Sequence, residues 1–93
     1  MENELIYRAP ARVDGKNAEE VLKELTGLVQ QEPEAISVDM TETTYLSSAG
    51  LRSLTAGYKM MRARGGNFRL INVSDRIRDL LDVTGLSGYF PIE

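Results

Sequence analysis

Two adjacent hydroxyls, Ser47 and Ser48, stand where a strand-like segment ending in Tyr45-Leu46 gives way to Ala49-Gly50-Leu51. Leu51, Leu54, Tyr58 and Met61 then recur at helical spacing, so a helix is expected to start at these serines. The first amides of a helix lack internal partners, and the helix dipole is positive at that end. Such a position suits a hydroxyl that caps the helix, and it equally suits a covalently attached phosphate. Both readings, an ordinary cap and a regulatory phosphoacceptor, fit the local pattern.

Other chemistry is constrained by what the chain lacks. It has no histidine and no cysteine, which removes a Ser-His hydrolase, thiolate catalysis, disulfides and His- or Cys-bound zinc. Glycines at 15, 50, 57, 65 and 66 form neither G-x-x-x-x-G-K-[ST] nor a G-x-G-x-x-G following a strand. The nucleophile elbow G-x-S-x-G is also missing. Asp14, Asp39 and Glu42 are not recognisably paired in sequence and read as loop and turn acids. No catalytic residue, metal or cofactor is therefore expected.

The elements that would position the serines read as strand, helix, strand, helix, strand, helix. Glu4-Leu5-Ile6-Tyr7-Arg8 is a first strand near an edge, stopped before Pro10, and residues 11–16 form a loop or brief strand closing on Asp14-Gly15. Asn17 is placed to cap a helix over 18–31, with Val21, Leu22, Leu25, Leu28 and Val29 as its inward stripe. A core strand follows from Ala35 to Thr41, then a polar bend over 41–44. The second helix spans Ser48 to Arg64 and ends at Gly65-Gly66. A third strand covers Asn67 to Val73, and Ser74 caps a last helix whose inward stripe is Ile77, Leu80 and Leu81. The tail Leu86-Ser87-Gly88-Tyr89-Phe90-Pro91-Ile92 is expected to dock as a short terminal segment. This is an α/β pattern with parallel strands and helices against the sheet. Functional loops gather at the carboxyl ends of such strands, which brings Asp39 and Ser48 into consideration as neighbours.

Ninety-three residues and 10.4 kDa fit one domain, 1–93, with one core. No apolar run approaches the roughly 20 residues needed to span a bilayer. The acidic start Met1-Glu2-Asn3-Glu4-Leu5 does not resemble a secretory signal, so a cytoplasmic location without membrane insertion is expected. A net charge of -3 argues against nucleic acid as the main partner. The charge is uneven: residues 1–46 hold ten acidic and four basic side chains, residues 47–93 four and seven. Along the second helix Ser53, Gly57 and Met60 share one stripe, with Arg52 and Lys59 beside it. That stripe suits a partner-binding surface, or Gly57 packs under another element and Met60 is merely exposed.

Val38-Asp39-Met40-Thr41, Tyr45 to Leu51, Arg64-Gly65-Gly66, Leu70-Ile71-Asn72-Val73, Ile77 to Leu81 and Thr84-Gly85-Leu86 ending in Phe90 together resemble the STAS domain family. The likeness is to its bacterial anti-sigma factor antagonists. It implies a small α/β domain, with about four strands in a mixed sheet and three to four helices packed mainly on one face. It also implies a regulatory protein and not an enzyme. In its unphosphorylated form such a protein binds an anti-sigma factor that is also a serine kinase, and phosphorylation at the start of the second helix switches it off. A phosphatase is a further implied partner. By position the phosphoserine falls on Ser48, with Asp14, Asp39, Ala49 and Gly50 supporting the site and Arg52, Ser53 and Met60 facing the partner. The family often has Asp immediately before the phosphoserine; here that place is Ser47, which makes Ser47 the alternative acceptor. The chain also begins later than many members, so one N-terminal edge strand fewer is expected. The second functional reading keeps the fold without the phosphate: a structural STAS subunit of a transporter or stress-signalling complex.

Overall fold

The computed structural model describes residues 3–86 and 88–93; Met1 and Glu2 of the acidic start and Ser87 of the tail lie outside the described residues. The elements are β1 (Glu4–Arg8), β2 (Arg12–Val13), α1 (Ala18–Val29), β3 (Ala35–Asp39), β4 (Tyr45–Leu46), α2 (Ser48–Ala63), β5 (Asn67–Ile71) and α3 (Asp75–Val83).

Strands β1, β3 and β5 form a parallel sheet with β3 in the middle, and β2 and β4 pair, also parallel, as a separate two-stranded ribbon. The α/β architecture with helices between parallel strands is as expected, but the sheet is not a four-stranded mixed one. Helical crossovers between β1, β3 and β5 return the chain in the same direction each time, so the described pairs are all parallel. The tail adds to the β5 side through a parallel bridge of Ile92 with Leu70, in which Leu70 N–H donates to the Pro91 carbonyl at 2.9 Å. Phe90 is buried there, 5.7 Å from the Tyr58 ring and 6.3 Å edge-on from Phe68.

Alternation along the strands decides the layers. Leu5 and Tyr7, Ile36 and Val38, and Phe68 and Leu70 fall in register across one face, where they meet Val21 and Leu25 of α1, Leu54 and Met61 of α2, and Ile77 and Leu81 of α3. Fully burying one such Leu or Ile is worth roughly 1.5–3 kcal/mol. Exposed ion pairs are worth about 0–1 kcal/mol, so these rows hold the helices to the sheet. The opposite face carries Glu4, Ile6, Ser37 and Arg69. Ser37 is nonetheless buried, because Arg69 Nε donates to its Oγ at 2.9 Å while that hydroxyl donates a short bond to Glu4. Arg69 also reaches Glu4 at 3.0 Å and Glu93 at 2.8 Å.

Helix ends follow the sequence with one exception. Gly65 takes a positive φ of 78°, and its amide and that of Gly66 close the end of α2 onto the Arg62 and Met61 carbonyls. Ser74 Oγ accepts from Ile77 N–H at 3.2 Å, capping α3. Asn17 occupies the cap position of α1 but makes no side-chain cap. Its amide oxygen accepts from Asp14 N–H and its nitrogen donates to the Arg12 carbonyl, so it braces the β2–α1 loop instead.

Candidate functional site

The two serines separate by role. Ser47 is the N-cap of α2: its backbone is extended (φ -93°, ψ 175°) and its Oγ accepts from Gly50 N–H at 3.2 Å. Ser48 is the first helical residue and is exposed, and its hydroxyl makes no hydrogen bond among the described residues. The cap is therefore occupied by one hydroxyl while the next is free to react. The first turn of α2 holds no acidic residue, unlike α1 with Glu19 and Glu20 and α3 with Asp75. No carboxylate of its own first turn compensates its positive dipole end, although Glu19 of α1 lines the groove beside Ser48.

What anchors this corner is the approach of α2 to β2. Ser47 N–H donates to the Val13 carbonyl at 2.9 Å. Gly50 is buried, and a Cβ built on it would lie 2.3 Å from that same carbonyl oxygen. A glycine here lets the helix start rest on the strand backbone.

Ser48 and Ala49 line an open groove of about 790 Å³ between the starts of α1 and α2, with Gly15 of the β2–α1 loop, Arg52 and Lys59 on its rim and Leu86 at one side. Arg52 and Lys59 are exposed, and Arg52 sits one helical turn beyond Ser48, on the same side of the helix. The Asp14 loop thus borders the groove. Asp14 accepts from Lys16 N–H at 2.9 Å and from Arg12 at 3.4 Å, and these bonds hold its carboxyl below the usual carboxylate range.

Two expectations need correction. Ser53 does not face a partner: it is buried, and its Oγ donates to the Ala18 carbonyl at 2.8 Å, tying α2 to the start of α1. Gly57 is buried too, under Leu25 and Phe68, and Met60 is half-buried with its sulfur 3.8 Å from Thr26 Oγ1, whose hydroxyl donates to the Leu22 carbonyl at 2.8 Å. The stripe they share is the packing surface of α2 on α1, with only the Met60 end reaching solvent. Asp39 is not brought to the serine groove either. It lies with Arg8, Ala9, Thr41 and Glu42 in a separate depression at the ends of β1 and β3.

There the Asp39 carboxylate accepts from the Thr41 hydroxyl, from Asn72 Nδ2 at 3.0 Å and from Thr41 N–H at 3.0 Å. These bonds favour the ionised form and depress its pKa from 3.8 to about 2. A depressed carboxylate contributes stability that is complete above its unfolded pKa and is lost as pH falls through the folded value. Side-chain carboxyl shifts followed by NMR should place the Asp39 midpoint near 2, and Asn72→Ala should move it toward the ordinary 3.8.

The geometry is matched by relationships to known proteins. The profile of the STAS domain family matches residues 1–93. The chain belongs to that family. Among its relatives, the anti-sigma-B factor antagonist of Bacillus subtilis is 28% identical over 91 residues, covering 98% of this chain and 83% of that protein. The anti-sigma-B factor antagonist of Listeria monocytogenes is 31% identical over 81 residues, covering 87% and 71%. The structure of the anti-sigma factor antagonist SpoIIAA in its unphosphorylated form superposes on the STAS domain with a TM-score of 0.81 at 16% identity, over 100% of this chain and 82% of that one. These relatives are regulatory antagonists and not enzymes, and the STAS domain described here stands among them. Among the described residues no helix is long and apolar enough to cross a membrane.

Proposed function

We propose that this STAS domain is a cytoplasmic anti-sigma factor antagonist whose unphosphorylated form docks an anti-sigma factor over the Ser48 groove and thereby releases a sigma factor. The anti-sigma factor is also the kinase that phosphorylates Ser48, and phosphorylation ends the interaction until a phosphatase resets it. The observation that carries this reading is the division of labour at the start of α2, where Ser47 holds the cap and Ser48 projects unbonded into the groove. Arg52 and Lys59 supply exposed cations on the partner-facing rim, and the half-buried Met60 contributes little beyond them. The names of the relatives support the partner class.

The acceptor is tested by incubating the protein with ATP and the anti-sigma kinases of its own organism, then mapping the product by mass spectrometry. Phosphate is expected on Ser48, abolished by Ser48→Ala. Ser47→Ala should retain the modification while losing about 1 kcal/mol of stability with the cap. Phosphate confined to Ser47, or none from a kinase that binds the protein, would overturn the assignment.

A further inference from the structure

The outer edge of β1 carries a pattern the antagonist reading does not use. Strand β1 pairs on one side only among the described residues, with β3. Ala9 N–H donates to the Asp39 carbonyl and the Asn3 carbonyl accepts from Glu34 N–H, so the odd-numbered residues turn their backbone groups toward β3. By the two-residue alternation of a strand, the N–H and C=O of Glu4, Ile6 and Arg8 point away from it, toward the open edge. Ile6 is 59% exposed, on the outer face of the sheet between the charged Glu4 and Arg8. Arg8 is exposed and lies with Asp39 and Glu42 along one depression, but forms no direct ion pair among the described residues.

The strand Glu-Leu-Ile-Tyr-Arg is complementary to itself when reversed. We infer that β1 is a homodimerisation edge, pairing antiparallel with β1 of a second copy about a two-fold axis at Ile6, and joining two three-stranded sheets into one. In that register Ile6 lies against Ile6 of the second copy, and Glu4 lies against its Arg8 on both sides. The Ile6 pair and the two Glu4–Arg8 pairs each exchange the backbone bonds that the edge leaves unmade. Leu5 falls opposite Tyr7 on the helix face. Sliding by two residues would set a charge against isoleucine, and parallel pairing in register would set Glu4 on Glu4 and Arg8 on Arg8, which is destabilising. The contact is self-complementary, as a two-fold interface must be. Strands of five residues bury far less than the roughly 1,200–2,000 Å² of a stable complex, so the dimer is transient and forms at high concentration. The inference is independent of phosphorylation at Ser48.

Sedimentation and light scattering of the full chain test it, from about 10 µM to about 1 mM, the range in which weak pairs assemble. The mass should rise from 10.4 kDa toward twice that value. Arg8→Glu and Ile6→Lys should each weaken association at least tenfold, with folding checked by circular dichroism. Glu4→Arg should do the same, and an equimolar mixture of the Glu4→Arg and Arg8→Glu chains should restore it, because each then presents the charges the other lacks. Amide exchange by NMR should show Glu4, Ile6 and Arg8 gaining protection with concentration, while Leu5 and Tyr7 stay protected throughout. A mass that stays at 10.4 kDa, or association indifferent to Arg8→Glu and Ile6→Lys, overturns the inference. If the Glu4→Arg chain does not fold because its bonds to Arg69 and Ser37 are lost, Arg8→Glu and Ile6→Lys decide alone.

Discussion

A Gly50→Ala variant is expected to melt about 10–20 °C below the parent, a loss of about 2–3 kcal/mol for a domain of this size. Helix propensity points the other way, since alanine inside a helix is worth about 1 kcal/mol more than glycine. The contact outweighs it. The new Cβ would stand 2.3 Å from the Val13 carbonyl oxygen and 2.9 Å from its carbonyl carbon, and backbone cannot rotate aside as a side chain can. The start of α2 would have to lift from β2, loosening the Ser47 bond to the same carbonyl and shifting Ser48 relative to the Asp14 loop. Gly27 is the matched control: it lies in α1, and a methyl added there would meet no atom within 4 Å, so Gly27→Ala should stabilise by about 0.5–1 kcal/mol. Thermal unfolding followed by circular dichroism separates the two. A Gly50→Ala protein as stable as the parent would mean that α2 is not pinned to β2 at this point.

Phosphorylation of Ser48 is expected to weaken binding to the anti-sigma partner by at least tenfold. The modification places about 1.5–2 negative charges on a group that is neutral beforehand. Within the free protein a phosphate there would meet no carboxylate from α2's own first turn and would have Arg52 one turn away, with Glu19 of α1 opposing it from the groove lining. If the partner docks as proposed, covering the neutral hydroxyl and Leu22, Leu51 and Leu86 around the groove, its surface would have to desolvate or repel the anion. An Arg52 drawn to the phosphate is also withdrawn from any carboxylate it met across the interface. A difference of 1.4 kcal/mol already changes the equilibrium about tenfold, so no rearrangement of the fold is required. Ser48→Asp, with one charge and a shorter reach, should fall between the two states, and Ser48→Ala should bind as the parent does.

Much of the architecture is legible in the sequence because it rests on local periodicity. The stripes of Val21 and Leu25, of Leu54 and Met61, and of Ile77 and Leu81 announce their helices, and Gly65-Gly66 and Ser74 mark helix ends through backbone chemistry alone. Two-residue strands leave no such trace. The β2–β4 ribbon exists because Arg12-Val13 and Tyr45-Leu46 meet across the chain, which neither pair can reveal alone. Asn17 has the right type for a cap, yet Asp14 and Arg12 compete for its side chain from outside the helix.

The candidate site divides in the same way. A hydroxyl at the helix start is visible in Tyr45-Leu46-Ser47-Ser48, but the choice of which serine caps is set by one backbone angle pair at Ser47. Helical spacing places Ser53, Gly57 and Met60 on one stripe without saying what covers it, and α1 does, through Ala18, Leu25 and Thr26. The depression around Asp39 depends on Asn72, whose positive φ of 56° ends β5 and turns its amide back to the carboxylate. Arg52 offered a usable signal: a cation four residues beyond a candidate phosphoacceptor on a helix faces the same way.

The switch at Ser48 is tested most directly by a calorimetric titration of the anti-sigma kinase with the protein, once unmodified and once quantitatively phosphorylated at that residue. Tight binding is expected from the unmodified protein, at least tenfold weaker binding from the phosphorylated one, and the same ratio when both carry Ser47→Ala. Equal affinities for the two forms would contradict the switch, leaving Ser48 an exposed helix residue without a regulatory role.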